Sequence, residues 1–153
     1  MTVSLKKLVK CVAIPLAVGA LSALLTKDNY NIPNQPPLSP PAWVFPVVWT
    51  ILYILMGIAS YIICESNATR DEKNKALAPY VGQLVFNFFW SIIFFSMRQY
   101  LFAFIWIIAL WTLILITILR FRKISETASN LLIPYIIWVT FAAYLNLAIY
   151  LIN

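Results

Sequence analysis

Five long apolar stretches, separated by short polar segments, run along the chain. They cover about residues 8–26, 42–64, 76–97, 100–119 and 128–152. Each is long enough to cross the hydrocarbon core of a bilayer as a helix, which takes about 20 apolar residues. The pattern therefore predicts an all-α polytopic membrane protein, in which residues 1–153 form a single bundle of five transmembrane helices.

A polar stripe interrupts the third apolar stretch. Gln83, Asn87 and Ser91 recur every four residues, which places them on one side of a helix, and Trp90 lies beside them. A carboxamide that faced lipid would lose the hydrogen bonds it makes to water. We therefore expect this stripe to face other helices or a cavity inside the protein.

Aromatic residues follow one helical face in the second and fifth stretches. In the second stretch that face carries Trp49, Tyr53, Met56 and Ser60. These faces predict either an aromatic pocket between helices or ordinary packing of the bundle, and spacing alone leaves both interpretations open. The face of the fifth stretch consists of Tyr135, Trp138, Ala142, Leu145 and Ile149, with Asn146 beside them.

The first apolar stretch also has two interpretations. It follows three lysines, and Ala17-Val18-Gly19 could serve as the cleavage site of a secretory signal peptide. Counted from Leu8 the stretch has about 18 residues, which favours a retained first helix. Its alanines, together with Gly57 of the second stretch, are candidates for close contact between helices.

The segment 27–41 is longer than a simple connector. Its five prolines exclude a regular helix, and its length is typical of a lid, a binding loop or a linker. Tyr30, Leu38 and Trp43 give this segment side chains with which to pack. Their presence favours a lid over a linker.

The charged residues indicate how the helices are oriented. The net charge is +6, and nine Lys and Arg side chains lie on the amino-terminal side of the predicted membrane. Only Lys27 and Arg98 lie on the other side, so the amino terminus is expected in the cytoplasm and the carboxyl terminus outside. Segment 27–41 is then extracytoplasmic. Because the basic residues form no patch, no nucleic-acid binding is expected.

The residue types limit the chemistry that the chain can perform. It has no histidine, and Cys11 and Cys64 lie in or beside apolar stretches, so we expect no metal site, no resident cofactor and no disulfide framework. No carboxylate lies in the middle of a stretch, which argues against a proton-coupled transporter. What remains is an aromatic cage suited to a large, flat, apolar ligand. We interpret Trp43, Trp106 and Trp111 as interfacial anchors rather than parts of this cage.

Three separated motifs carry a family resemblance. They run from Pro36 to Tyr53, from Gln83 to Gln99 and from Pro134 to Asn146, and they include the Pro-X-Trp element at residues 41–43 and the Trp-X-X-Leu-Tyr element at residues 49–53. In these motifs the chain resembles a bacterial member of the TspO/translocator protein family, the tryptophan-rich sensory proteins once called peripheral benzodiazepine receptors. The resemblance covers nearly the whole chain.

This resemblance implies a five-helix membrane bundle, a homodimer, and a pocket beneath the first loop. Members of the family bind porphyrins such as protoporphyrin IX, as well as isoquinoline carboxamide and benzodiazepine-type drugs. Bacterial members are also reported to degrade protoporphyrin in light, and by similarity Trp49 and Trp138 would have the catalytic, redox role. The ligand-binding positions carried over to this chain are Ala23, Trp49, Asn87, Trp90, Trp138, Ala142 and Leu145.

Three functions are therefore compared. The first is porphyrin binding with light-dependent degradation, the second is a porphyrin carrier or sensor that leaves its ligand unchanged, and the third is a scaffold whose aromatic faces only pack. Sterol recognition is not expected. The cholesterol motif proposed for animal members needs a basic residue after Tyr150, and here Leu151, Ile152 and Asn153 follow it.

Overall fold

Five helical spans, each long and apolar enough to cross a membrane, make up the computed structural model, which describes residues 4–29, 32 and 34–153. The predicted all-α fold with five transmembrane spans is confirmed. The fifth span consists of two helices in succession. The helices are α1 Leu5–Thr26, α2 Val44–Cys64, α3 Arg70–Ser91, α4 Tyr100–Arg122, α5 Glu126–Leu131 and α6 Ile133–Ile152.

The helices are arranged as a ring rather than in the order of the sequence. α1 packs between α2 and α3, and α4 packs between α3 and α6. The ring closes where α2 contacts α5, the short helix that precedes α6. Among the described residues, the backbones of α2 and α6 come close at few positions, and their junction is bridged mainly by side chains such as Phe45 and Trp138.

Two glycines allow α1 and α2 to approach each other closely. A methyl group built on Gly57 would lie 2.4 Å from Val12 Cα and 2.8 Å from the Cys11 carbonyl oxygen. One built on Gly19 would lie 2.2 Å from the Tyr53 ring. Gly57 therefore makes the close contact that the sequence predicted. The alanines of α1 do not, because Ala13, Ala17 and other alanines are exposed.

The third helix begins earlier than the predicted residue Ala76. Its first residue is Arg70, because Thr69 caps the helix: the Thr69 hydroxyl oxygen accepts the Glu72 backbone N–H at 3.2 Å and donates to the Glu72 carboxylate at 3.0 Å. The polar turns of α3 thus continue the transmembrane helix beyond its apolar part.

The fifth span is interrupted at Leu132. Pro134, in the first turn of α6, lacks an N–H and cannot continue the hydrogen bonds of α5.

α3 ends in a π-helical turn over Ile92–Ser96, after which Arg98 adopts a left-handed φ of 53° and turns the chain into α4. Both irregularities lie next to the residues that form the candidate site.

The loop between α1 and α2 crosses one end of the bundle and is tied down on both sides. Asn29 Nδ2 donates to Ser96 Oγ at 3.4 Å, and the Tyr144 hydroxyl donates to the Pro37 carbonyl oxygen at 2.8 Å. Ile32 of this loop packs against the core and Pro36 is buried, but two of the side chains expected to pack do not. Leu38 and Trp43 are 79% and 67% exposed, and Tyr30 lies outside the described residues.

We predict that Gly57→Ala destabilises the bundle. The added methyl group must displace the backbone of α1, and overpacking of this kind costs about 1–3 kcal/mol. Gly82→Ala in α3 is the matched control, because its methyl group would lie 3.8 Å from Leu113 and should stabilise the helix by about 0.5–1 kcal/mol. Unfolding of detergent-solubilised protein by SDS, followed by circular dichroism, measures both changes. Equal effects of the two substitutions would contradict this account of the α1–α2 contact.

Candidate functional site

A hydrogen-bonded cluster of four side chains joins α2, α3 and α6 inside the bundle. Asn87 Nδ2 donates to the Tyr135 hydroxyl oxygen at 2.7 Å, and the Tyr53 hydroxyl donates to Asn87 Oδ1 at 3.1 Å. The Tyr135 hydroxyl in turn donates to Gln83 Oε1 at 2.6 Å. Gln83 and Asn87 are 1% and 2% exposed, which confirms that this part of the polar stripe faces inward. Ser91, the third residue of the stripe, is half-buried.

Trp49 lies against this polar cluster. Its ring stacks on Tyr53 with 5.6 Å between centroids and meets Tyr135 edge to face at 6.2 Å. The indole is only partly buried, although both of its tyrosine neighbours are buried. Trp49 therefore touches the two phenols whose hydroxyl groups bind Asn87.

Trp90 belongs to a second, adjacent set of contacts. Its indole N–H donates to Asn146 Oδ1 at 3.0 Å, and Asn146 Nδ2 donates to the Tyr100 carbonyl oxygen at 2.8 Å. The Trp90 ring also stacks on Phe94, with centroids 5.1 Å apart. These contacts fix the orientation of Trp90 between α3, α6 and the start of α4.

Trp138 is placed differently from the other two tryptophans of the predicted site. It lies at the seam between α2 and α6, edge to face with Phe45 at 5.7 Å. Its indole nitrogen is buried and has no hydrogen-bond partner among the described residues. Among those residues, no ring contact joins Trp138 to Trp49.

A cavity of about 600 Å³ lies beside Trp138. Its walls come from the outer flank of α2 and from the start of α6, and every lining side chain is aliphatic or aromatic. A volume of this size is in the usual range for small-molecule sites. The lining residues are Val48, Ile51, Leu52, Leu55, Ile133, Pro134, Ile137, Trp138 and Phe141.

Of the three small or aliphatic residues of the predicted site, two are buried and one is exposed. Ala142 and Leu145 are buried on the face of α6 that also carries Asn146. Ala23 is exposed on α1, one residue after the buried Ser22 and one turn after Gly19, which contacts Tyr53. The structure thus brings Trp49 and Asn87 into one cluster, puts Trp90 next to it, and leaves Ala23 at the edge.

Two tyrosines are central to the site, although the sequence placed them only on the aromatic faces and not among the ligand-binding residues. Tyr53 and Tyr135 supply the hydroxyl groups that bind Asn87. Both lie on the helical faces that carry Trp49 and Trp138, so their spacing in the sequence could have identified them as site residues. Two of the proposed interfacial anchors also make contacts inside the bundle. The indoles of Trp106 and Trp111 donate to the Phe86 carbonyl oxygen and to Thr140 Oγ1, so both link neighbouring helices.

The chemistry available at the site is stacking, apolar contact and neutral hydrogen bonding. The carboxylates lie at helix ends, where Glu65 binds Lys7 at 3.4 Å and Glu126 binds Arg122 at 3.7 Å. In the described part of the chain, no group of three His, Cys, Asp or Glu side chains is placed to hold a metal ion. An arrangement of this kind can orient a flat, apolar molecule, and its indoles can be oxidised.

Comparison with known proteins gives a consistent result along almost the whole chain. A model of the TspO/MBR family matches residues 11–151. The chain is 38% identical over 147 residues to the tryptophan-rich protein TspO of Chlorobaculum tepidum, covering 94% of this chain and 93% of that protein. It is 39% identical over 151 residues to the protein of the same name from Archaeoglobus fulgidus, covering 96% and 97%. It is also 37% identical over 114 residues to the translocator protein of Ovis aries, covering 74% and 68%.

We predict that Asn87→Ala lowers the free energy of unfolding by about 1–3 kcal/mol, because two buried hydrogen bonds are lost. Asn74→Ala, at an exposed position of the same helix, is the control and should change it by no more than about 0.5 kcal/mol. SDS unfolding of the two variants measures the difference. If Asn87→Ala proved as neutral as the control, the cluster would not be a stabilising element.

Proposed function

The chain belongs to the TspO/MBR family of multi-pass membrane proteins, and from this premise we propose that it binds a tetrapyrrole such as protoporphyrin IX. The observation that carries the proposal is the cluster in which Trp49 packs on Tyr53 and Tyr135 around Asn87. Indole and phenol faces offer stacking area to a flat macrocycle, and the carboxamide offers it a donor and an acceptor.

The proposed ligand-binding residues are Trp49, Asn87, Trp90 and Trp138, together with Ala23, Ala142 and Leu145. Support comes from the apolar cavity beside Trp138, whose ring forms part of its wall. We propose that isoquinoline carboxamide and benzodiazepine-type drugs use the same residues.

We further propose that light drives degradation of the bound porphyrin, with Trp49 and Trp138 as the redox residues. An excited macrocycle in contact with an indole can take one electron from it, and dissolved O₂ is the oxidant that the degradation then consumes. Trp49 is suited to this role because Tyr53 and Tyr135, two further oxidisable rings, lie within 6.2 Å of it, measured between centroids. The neutral surroundings supply no competing acid or base.

The alternative function is a porphyrin carrier or sensor without chemical turnover. Several relatives are named translocator protein, and one from Cereibacter sphaeroides is named tryptophan-rich sensory protein. The ion pairs that hold Glu65 and Glu126 at helix ends weigh against energised transport, which normally needs an ionisable group at membrane depth. Passive exchange of the ligand with the bilayer remains compatible with the fold.

We propose that the protein is a homodimer in the cell membrane, with its amino terminus in the cytoplasm. The orientation is supported by nine Lys and Arg residues on the amino-terminal side against two on the other. The loop between α1 and α2 then faces outward as a lid over the site. Exposed alanines on α1, such as Ala13 and Ala17, would allow close approach of a second copy.

We predict that the double substitution Trp49→Phe and Trp138→Phe abolishes light-dependent loss of protoporphyrin IX while preserving its binding. Phenylalanine keeps an aromatic face, so the dissociation constant should change by no more than about threefold, whereas the degradation rate should fall by about tenfold or more. The measurement is porphyrin absorbance with purified protein in light and in the dark.

The matched control is the double substitution Trp106→Phe and Trp111→Phe, which removes two indoles from helix contacts outside the proposed site. It should retain light-dependent degradation. Undiminished degradation by the Trp49 and Trp138 variant would contradict the redox role. Binding with no light-dependent loss in the unmodified protein would favour the carrier or sensor.

A further inference from the structure

Two free thiols meet at one end of the α1–α2 pair. The thiol of Cys11 on α1 and that of Cys64 on α2 lie close enough to share a hydrogen bond. These are the two cysteines of the sequence, and neither belongs to the proposed binding site. Cys11 is half-buried and Cys64 is exposed, so the pair can be reached from the surface of the bundle.

Contacts between the two helices on both sides of the thiols hold them together. On one side, Gly57 approaches α1 so closely that an added methyl group would lie 2.8 Å from the Cys11 carbonyl oxygen. On the other side, Lys7 forms an ion pair with Glu65 at 3.4 Å. These two charged residues lie one turn before Cys11 and directly after Cys64. The meeting of the thiols therefore follows from how the helices pack.

Cys64 can adjust its position more easily than Cys11. Cys64 is the last residue of α2, whereas Cys11 lies inside α1 at the contact with Gly57. A disulfide needs its two Cα atoms at about 4.4–6.8 Å from each other. A partner at the end of a helix can reach this distance by a small change in the last turn, without moving the packed part of the pair.

The surroundings of Cys64 are polar. The segment that follows it, residues 65–75, contains six charged residues and lies outside the apolar stretches. The Lys73 ammonium group donates to the Cys64 carbonyl oxygen at 2.9 Å. A small polar oxidant can therefore reach this thiol from water, without crossing the hydrocarbon core.

We propose that Cys11 and Cys64 form a reversible disulfide, which links α1 to α2 when the protein meets a peroxide. One of the two sulfurs, as a thiolate, attacks an oxygen of hydrogen peroxide; the O–O bond breaks, and a sulfenic acid and one water form. The other sulfur attacks the sulfenic sulfur, the S–O bond breaks, and a second water leaves. In total the two thiols lose two electrons and two protons, and one peroxide is reduced to two waters.

The bond acts on the junction that holds α1 to the bundle. It closes a loop from residue 11 to residue 64, which includes segment 27–41, and a bond of this kind stabilises by restricting the unfolded chain. With the proposed orientation, this end of the pair faces the cytoplasm, where thiols are kept reduced. The bond is then transient there and forms under oxidising conditions.

The test exposes the full-length protein in nanodiscs to hydrogen peroxide in the presence of a metal chelator and counts free thiols. A maleimide-linked polyethylene glycol, added after denaturation, shifts the protein on a gel once for each free thiol. The reduced protein should carry two labels, and the oxidised protein none while it runs as a monomer. Dithiothreitol should restore both labels, and mass spectrometry should find the Cys11 and Cys64 peptides joined. Oxidation should also raise the SDS concentration at which the protein unfolds.

The matched control is Cys11→Ser with Ala13→Cys, which keeps two thiols but moves one to an exposed position of α1. Two residues rotate a side chain by about 200° around a helix, so the moved thiol faces away from Cys64. At equal peroxide this variant should form about fivefold less monomeric disulfide, or lower still. The single substitution Cys64→Ser should form none.

Four results would overturn the proposal. Both thiols could stay free in peroxide, or each could gain oxygen atoms without a bond between them. Disulfide-linked dimers would show that the thiols meet those of another copy. An equal yield of monomeric disulfide in the control would show that the contact between Cys11 and Cys64 does not direct the reaction.

Discussion

A hydrogen-bonded group of uncharged side chains inside an apolar bundle is the constraint on which the rest of this structure depends. Asn87 binds two tyrosine hydroxyls, one from α2 and one from α6, and the second of these also binds Gln83. In a medium without water each of these groups must find its partner within the protein, so the cluster fixes the rotation of three helices about their axes. The direction in which the rings of Trp49 and Trp90 face follows from that arrangement.

The bundle is tightly packed on one side and more open on another. Gly57 and Gly19 bring α1 against α2, so this junction is close-packed. The junction of α2 with α6 is spanned inside by the polar cluster and outside only by apolar side chains around a cavity of about 600 Å³.

Much of this could be predicted from the sequence, and the remainder depended on tertiary contacts. The five spans followed from hydropathy, and the inward direction of Gln83 and Asn87 followed from their spacing and the cost of exposing an amide to lipid. The early start of α3 was also encoded, in the capping pair Thr69 and Glu72, but hydropathy alone overlooks it because those turns are polar. The exposure of Leu38 and the cavity beside Trp138 could not be predicted, because they depend on how helices distant in sequence diverge.

Fluorine NMR tests most directly whether a porphyrin binds at Trp49, Trp90 and Trp138, as we propose. The protein contains six tryptophans, which can be labelled with 5-fluorotryptophan and assigned by single substitutions to phenylalanine. Titration with protoporphyrin IX in nanodiscs in the dark should move the three site resonances in a saturable manner and leave those of Trp43, Trp106 and Trp111 in place. Movement of all six resonances together, or of Trp43 alone, would show porphyrin adsorbing to the surface and would contradict the account.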